Sequence, residues 1–176
     1  MDGVVFPLKF SSTVRISRRF WGGFLIKNNR LFALILPVIS KKKAEQQITN
    51  IAKEKIIYCP KKYSKQIRCL QQYFLKGILR WQPKLDLSGY SDFAQKVLKL
   101  VHKIPKGKVY NYAWIAKKVN SPLAMRAVGS VLANNRIPLI IPCHRIIKKN
   151  GLIGQFSGGF GKKLKKIMLK IENTQI

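Results

Sequence analysis

The segment with the most distinctive chemistry is Pro142-Cys143-His144-Arg145, which stands between two aliphatic runs. The thiolate is the nucleophilic form of cysteine, and neighbouring His and Arg side chains can favour it. Adjacent side chains of an extended segment point to opposite sides, so we expect His144 to act on Cys143 through water unless the backbone turns. A buried cysteine is also commonly a small apolar core residue. These residues alone leave open whether Cys143 is a nucleophile or a structural residue of a strand.

An imidazole that works through water needs a third group to orient it, and the chain offers few candidates. Glu172 is the only acidic residue after Asp92, and it lies in a lysine-rich segment. A lone carboxylate in such a segment fits a Glu–His–water–Cys relay built from Glu172, His144 and Cys143. The chain has three cysteines, no CxxC pair and two histidines, so neither a disulfide framework nor a four-ligand zinc site is expected.

The charge of the chain indicates a polyanionic partner. Its 176 residues include 35 Lys and Arg against 6 Asp and Glu, a formal net charge of +29. The charge is even, with +14 on residues 1–90 and +15 on residues 91–176. Such charge supplies affinity for nucleic acid without specificity. Compositional drift towards lysine on solvated faces would also produce a positive charge of this kind. The longest apolar run, residues 31–39, is far shorter than the ~20 residues of a membrane helix, and we expect a cytoplasmic protein with reduced thiols.

The first half of the chain predicts a small α/β unit. Two apolar strands surround Asn28-Asn29, a pair that tolerates the positive φ of a tight hairpin. Ser40 is predicted to cap one helix, and Ser64 is predicted to cap a second that ends near Gly77. The stretch 81–90 contains Pro and Gly without periodicity, which predicts a linker.

The second half of the chain predicts short helices around the Cys143 segment. Ser91 and Asn111 are the expected caps of the first two helices. Ser121-Pro122 suits the N-cap and first position of a third helix, from Leu123 to about Asn134, and two helices joined by such a turn are the sequence form of a helix-turn-helix. The remaining predictions are a hairpin at Lys149-Asn150-Gly151 and a terminal helix from Lys162 to Glu172.

The third helix is dense in small residues and carries one long cation, Arg126, near its start. Small residues let a backbone approach DNA closely, which suits minor-groove contact better than readout of base edges. Tight packing against the neighbouring helix explains the same composition equally well.

Together these motifs resemble the O6-alkylguanine-DNA alkyltransferases, also called methylated-DNA–protein-cysteine methyltransferases, from about residue 85 to residue 172. The resemblance is carried by Ile104-Pro105-Lys106-Gly107-Lys108-Val109, Tyr112, Arg126-Ala127-Val128-Gly129, Asn135, Ile141-Pro142-Cys143-His144-Arg145-Ile146-Ile147 and Ser157-Gly158-Gly159. The chain departs from the usual family pattern in having Asn135-Arg136 in place of Asn-Pro, and Phe156 where Tyr is frequent.

The resemblance implies a role for each matching residue. Cys143 would accept the alkyl group, with His144 acting as base through water and Glu172 holding the imidazole. Tyr112 would assist rotation of the nucleotide and donate a proton to guanine N3, while Asn135 would support the turn that carries Cys143. The implied guanine pocket comprises Pro138, Ile146, Phe156, Ser157 and Gly158. The implied DNA contacts are Arg126, which would fill the gap in the duplex, with Tyr112, Ala124, Ala127 and Gly129.

The resemblance also implies a fold and an activity. The expected fold is α+β, with a small ribonuclease-H-like α/β domain at residues 1–80, a linker at 81–90 and a mainly helical winged helix-turn-helix domain at 91–176. The implied activity is irreversible, single-turnover transfer of an alkyl group from O6-alkylguanine in double-stranded DNA to Cys143, by a monomer that needs no cofactor or metal. The alternatives are a non-catalytic sensor of alkylated guanine with the same fold, and a basic nucleic-acid-binding protein.

Overall fold

The computed structural model describes residues 1–9 and 20–174. The chain divides into two compact units, Met1–Asp86 and Leu87–Ile176, and each has its own buried core. Together they contain both helices and sheet, which agrees with the α+β class expected from the sequence. Among the residues described, no helix has the length and apolar character needed to cross a bilayer.

A four-stranded sheet forms the centre of the first unit. Its strands are β1 (Asp2–Leu8), β2 (Phe20–Lys27), β3 (Arg30–Val38) and β4 (Ile57–Tyr58), in the order β3-β2-β1-β4. β1 and β4 are parallel, and the other pairs are antiparallel. Asn28 and Asn29 connect β2 to β3 with φ values of 48° and 58°, so the hairpin predicted from this Asn pair is confirmed.

Two helices accompany the sheet, α1 (Lys41–Ala52) and α2 (Ser64–Lys76). The Ser40 hydroxyl accepts a hydrogen bond from the Lys43 amide, so the predicted cap of α1 is confirmed. The predicted cap of α2 is wrong, because Tyr63 holds the N-cap position and Ser64 is already helical. The cause is a turn before the helix, in which the Tyr63 and Ser64 amides donate to the carbonyls of residues 60 and 61.

The predicted linker begins alongside β3. The Leu31 amide donates to the Lys84 carbonyl, and the Leu31 carbonyl accepts from the Asp86 amide. The division between the two units falls directly after Asp86, within the stretch 81–90.

The second unit is mainly helical. Its helices are α3 (Asp92–His102), α4 (Tyr112–Lys118), α5 (Met125–Ala133) and α6 (Lys162–Ile171). Two short strands, β5 (Tyr110–Asn111) and β6 (Ile146–Ile147), pair in parallel. Ser91 accepts from the Ala94 amide and Asn111 from the Trp114 amide, so both predicted caps are confirmed.

Two local predictions in the second unit are wrong. The helix expected from Leu123 begins at Met125, because Ser121 accepts the Ala124 amide through its backbone carbonyl and residues 122–124 form a turn. Lys149-Asn150-Gly151 does form a turn, but no strand follows it within residues 152–157. β6 takes β5 as its partner instead, so the turn connects no β-hairpin.

Candidate active site

Cys143 begins a single 3₁₀ turn, Cys143–Arg145, directly before β6. Its side chain is buried, with 5% of its surface exposed, and its amide donates to the Ile141 carbonyl at 2.8 Å. The turn replaces the extended backbone that the sequence favours at this point, so Cys143 and His144 do not alternate across a strand. Cys143 is therefore held at a backbone bend rather than in a sheet.

The Asn135 carboxamide fixes the loop that leads to Cys143. It is buried, and its Nδ2 donates to the Ile141 carbonyl at 3.0 Å and to Cys143 Sγ at 3.2 Å. Its Oδ1 accepts from the Ile137 amide at 3.0 Å. One side chain thus closes the loop from residue 135 to residue 143 and also contacts the sulfur.

Behind the Cys143 turn lies a buried cluster of three charged or titratable side chains. His144 Nε2 is 2.9 Å from Glu172 Oε1, and both side chains are fully buried. Arg145 donates to both oxygens of the same carboxylate, from Nε to Oε2 at 2.8 Å and from Nη2 to Oε1 at 2.9 Å. Arg145 also donates to the Ile104 carbonyl, which ties the cluster to the end of α3. Glu172 itself caps the C-terminus of α6.

The electrostatics of this cluster define the state of His144. Burial alone would raise the pKa of Glu172, but hydrogen bonds from His144 and Arg145 outweigh it and lower that pKa to about 2. Burial lowers the pKa of His144, although Glu172 opposes this change. An ionised carboxylate can only accept, so Nε2 of a neutral His144 carries the proton. Nδ1 then holds a basic lone pair, and it is buried without a hydrogen-bond partner among the residues described.

Burial raises the pKa of the Cys143 thiol, while the hydrogen bond from Asn135 and the charge of Lys165 act in the opposite direction. Lys165 is 1% exposed and donates from Nζ to the Ile146 carbonyl. Burial lowers the pKa of Lys165 to about 8. The thiol is therefore neutral at rest and needs a base, and a cation lies near enough to stabilise the thiolate once it forms.

A cavity of about 570 Å³ adjoins the thiol. Several residues predicted from the resemblance line it, namely Cys143, Tyr112, Arg126, Gly129, Phe156 and Ser157. The sequence analysis did not identify the remaining lining residues, which are Met125, Leu132, Ala133, Lys148, Gly154 and Gln155. It also missed Lys165. The only signal for Lys165 is its place on the apolar face of α6, next to the buried Leu164, Met168 and Leu169.

Tyr112 is half-buried in the wall of this cavity. Burial and the neighbouring Cys143 raise the pKa of its hydroxyl, which therefore remains a proton donor at neutral pH. Gly154 lies against the hydroxyl, and a Cβ at this position would be 3.0 Å from Tyr112 Oη. The absence of a side chain at Gly154 makes room for the phenol.

Five other predicted site residues, Ala124, Ala127, Pro138, Ile146 and Gly158, are not among those that line the cavity. Ile146 is fully buried, and its carbonyl accepts from Lys165. Pro138 forms a bridge with Ile141 before the Cys143 turn. The Gly158 carbonyl accepts from the Gly161 amide at the start of α6. Ala124 and Ala127 lie at the beginning of α5, half-buried and exposed respectively, and Arg126 between them is exposed.

The part of the chain that the structure describes contains no group of three or more His, Cys, Asp or Glu residues that could hold a metal ion. Cys59 and Cys69 are free, half-buried thiols in the first unit.

A buried thiol beside a cavity, backed by a neutral histidine and an ionised glutamate, is the arrangement of a protein whose cysteine forms a covalent bond with a ligand. The comparisons with known proteins identify the family. The family model "6-O-methylguanine DNA methyltransferase, DNA binding domain" matches residues 92–174. A methylated-DNA–protein-cysteine methyltransferase of Methanocaldococcus vulcanius is 38% identical, over 87% of this chain and 91% of that protein. One of Mycobacterium tuberculosis is 34% identical, over 66% and 68%.

Solved structures show the same likeness. The crystal structure of Mycobacterium tuberculosis OGT in complex with DNA has a TM-score of 0.73 and 27% sequence identity, over 98% of this chain and 92% of that one. The O6-methylguanine-DNA methyltransferase of Pyrococcus kodakaraensis has a TM-score of 0.72 at 23% identity, over 98% and 99%, and supports the fold. The chain belongs to the methylated-DNA–protein-cysteine methyltransferase family.

Proposed function

We propose that this protein repairs DNA by direct reversal, moving the alkyl group of O6-alkylguanine onto Cys143 Sγ. The observation that carries the proposal is the position of the Cys143 thiol, between the cavity and the buried pair of His144 and Glu172. The cysteine is present, so a non-catalytic sensor is not favoured. The net charge of +29 supports DNA as the partner.

The proposed reaction begins with removal of the thiol proton. The lone pair on His144 Nδ1 takes the proton from Cys143 through a water molecule, and Glu172 stabilises the imidazolium that forms. Lys165 and Asn135 stabilise the thiolate through charge and a hydrogen bond. Sγ then bonds to the alkyl carbon as the bond from that carbon to guanine O6 breaks.

The leaving guanine must be neutralised. The electron pair of the broken bond stays on the base, and the Tyr112 hydroxyl donates a proton to guanine N3, with Ser157 as a further donor in the cavity wall. The proton held by His144 returns the phenol to its neutral form. Overall the alkyl group replaces the thiol proton, and that proton replaces the alkyl group on guanine. No group described near Sγ hydrolyses a thioether, so each molecule acts once.

The guanine must leave the duplex to reach a buried thiol. We propose that α4 and α5 form a helix-turn-helix and that α5 enters the minor groove. The exposed Arg126 would fill the gap left by the extruded nucleotide, with Ala124, Ala127 and Gly129 allowing close approach. The segment that follows β6 would act as the wing.

The proposed organisation follows the family pattern. Residues 1–80 form a ribonuclease-H-like domain, residues 81–90 a linker, and residues 91–176 the domain for DNA binding and alkyl transfer. Within the last of these, Pro138, Ile146 and Gly158 would contribute to the guanine pocket together with Phe156 and Ser157. The protein acts as a cytoplasmic monomer.

The test is intact-mass spectrometry after mixing the protein with an equimolar duplex that carries one O6-methylguanine. We expect the gain of one methyl group, mapped to the peptide that contains Cys143, together with restored guanine. The Cys143→Ala variant should gain nothing and still bind the duplex, whereas the matched controls Cys59→Ala and Cys69→Ala should react fully. An unchanged mass with lesion-selective binding would replace the proposal with a sensor, and an unchanged mass without lesion preference would overturn it.

A further inference from the structure

A second concave surface lies beside the cavity of the second unit. We call it the aromatic groove; its volume is about 200 Å³. It is lined by Val109, Tyr110, Asn111, Trp114, Ile147, Lys148, Lys149 and Gly151. The proposed transfer step uses none of these side chains, although Lys148, Lys149 and Gly151 belong to the segment after β6 that we propose as the wing.

The groove contains a preformed aromatic stack. The rings of Tyr110 and Trp114 lie parallel within 21°, with 3.9 Å between their centroids. Both residues are half-buried. The Asn111 side chain caps α4 by accepting from the Trp114 amide, which holds the residues of the stack in register. A fixed aromatic surface of this kind binds nucleobases regardless of sequence, because every base has a π face.

Lysines surround the stack. Lys118 Nζ lies 5.8 Å from the centroid of the Trp114 ring, and Lys148 and Lys149 are exposed in the groove wall. The nearest acid along the chain on the C-terminal side is Glu172, which is fully buried and bonded to His144 and Arg145. The groove therefore presents ammonium groups next to aromatic faces, the combination that tracks the phosphates and bases of a single strand.

The groove shares one wall residue with the acceptor cavity. Lys148 lines both, and Tyr112 of the cavity wall lies between Tyr110 and Trp114 in the sequence. We propose that the aromatic groove is a binding subsite for unpaired nucleotides of single-stranded DNA, which stack on the Tyr110–Trp114 pair and place their phosphates near Lys118 and Lys149. The subsite acts in binding and takes no part in the transfer step.

The test compares binding of a labelled oligothymidylate and of a duplex of the same length by fluorescence anisotropy. Loss of a stacked base costs roughly 5- to 150-fold in affinity, so we expect Trp114→Leu to weaken oligothymidylate binding by a factor in this range. Trp114→Phe keeps an aromatic face and should remain within about threefold of the wild type. The affinity for the duplex should change much less than the affinity for the single strand.

The electrostatic part of the subsite has its own test. Each phosphate contact on a single strand contributes about 0.7 to the slope of log affinity against log salt concentration. Lys149→Gln should lower the oligothymidylate slope by about this amount, whereas Lys103→Gln, an exposed lysine outside the groove, should leave it unchanged.

Further measurements keep the proposal falsifiable if Trp114→Leu perturbs folding. In a Trp21→Phe, Trp81→Phe background, the remaining Trp114 emission should be quenched as oligothymidylate binds. An unquenched emission, or equal losses for single strand and duplex, would overturn the subsite. Inorganic polyphosphate can be added as a competitor of the bound oligothymidylate. If it displaced the DNA equally well from wild type and from Trp114→Leu, the groove would be a general anion-binding surface, and the proposed subsite would be overturned. Methyl transfer to Cys143 is measured in a separate experiment. If no transfer occurred, the proposed function would be overturned, but the result for single-strand binding in the aromatic groove would stand.

Discussion

At the scale of single residues, Glu172 controls the chemistry of its neighbours. Its carboxylate accepts from His144 Nε2 and from Nε and Nη2 of Arg145, all within 2.9 Å. Because the carboxylate is fully buried, these donors take the place of water. The consequence is a fixed imidazole orientation in which Nδ1 keeps its lone pair free, so one glutamate determines both the tautomer and the direction of His144.

Replacing this carboxylate with a neutral amide should damage both stability and activity. The folded pKa of Glu172 is lowered from 4.5 to about 2, so its stabilising contribution of about 3 kcal/mol is complete above pH 4.5 and is lost as the pH falls towards 2. Glu172→Gln should therefore unfold more easily at pH 7 by about this amount, and the difference from wild type should shrink below pH 4.5. Denaturant unfolding of both proteins at pH 7, 5 and 3 measures the difference in their free energies of unfolding.

The activity of the same variant gives a second readout. The single-turnover transfer rate at pH 7 should fall by ~100-fold, because general-base catalysis by an oriented histidine is worth about this factor or more. Glu54→Gln is the control, since Glu54 pairs with Lys27 on an exposed surface and its loss should cost less than about 1 kcal/mol. A stability difference that stayed constant from pH 7 to pH 3 would contradict the assigned ionisation of Glu172.

At the scale of elements, the helix caps that depend on residues close together in the sequence could be predicted. The caps at Ser40, Ser91 and Asn111 each bind an amide three residues ahead, so a short window contains both partners. Ser64 and Ser121 have the right side chain but take part in turns made by backbone groups, and residue type does not reveal this choice.

Contacts between distant parts of the chain could not be predicted in the same way. β6 pairs with β5, which precedes it by more than thirty residues, so the turn after β6 carried a misleading hairpin signal. Lys165 is buried because the Ile146 carbonyl lies opposite it, and a charged residue on an apolar helix face gives no indication of such a partner. Within the site, the sequence pointed to His144 and Glu172 as partners, and the structure places their side chains in contact. Met125, Gln155 and the rest of the missed cavity wall come from elements whose packing no local pattern specifies.

One set of contacts between elements lies at Arg136, the position where the resemblance leads us to expect proline. The Arg136 amide donates to Tyr90 Oη at 2.8 Å, and Tyr90 Oη donates to the Asn134 carbonyl at 2.8 Å. The Arg136 guanidinium lies 4.5 Å from the centroid of the Tyr90 ring, and its Nη2 donates to the Ser88 carbonyl at 2.7 Å. A proline at position 136 could not donate from its nitrogen. Tyr90 therefore holds both neighbours of Asn135, the residue that contacts the Cys143 sulfur.

Removing the Tyr90 hydroxyl should loosen this arrangement. Tyr90→Phe leaves the Arg136 amide and the Asn134 carbonyl without their partner, which should lower the free energy of unfolding by about 1–2 kcal/mol. The transfer rate should fall several-fold while affinity for duplex DNA is retained, because the change displaces Asn135 rather than α5, the helix proposed to enter the minor groove. Tyr58→Phe, at an exposed tyrosine of the first unit, is the matched control and should change neither quantity. A full transfer rate in Tyr90→Phe would show that Asn135 is positioned without Tyr90.

At the scale of the whole molecule, most of the charged side chains are exposed, whereas the side chains proposed for the reaction are buried. The net charge of +29 is carried mainly by exposed side chains, whereas Cys143, His144 and Glu172 are buried. Salt screens exposed charges strongly and buried pairs much less. Binding to DNA and the transfer step should therefore respond differently to ionic strength.

Affinity for duplex DNA should fall steeply with salt, by roughly 1,000-fold between 50 and 200 mM if about six phosphates are neutralised. The transfer rate at saturating DNA should stay within about twofold over the same range, because Cys143, His144 and Glu172, which we propose to move the alkyl group and the proton, are buried away from the ions. Arg126→Ala should weaken duplex binding because the gap left by the extruded nucleotide is no longer filled, while Lys42→Gln on the exposed face of α1 should leave both the affinity and its salt slope unchanged. Anisotropy titrations and rapid-quench transfer assays at matched salt concentrations measure the two quantities. A saturated rate that fell in parallel with affinity would mean that exposed charge acts in the chemical step itself, and an altered slope in Lys42→Gln would extend the DNA-binding surface to the first unit.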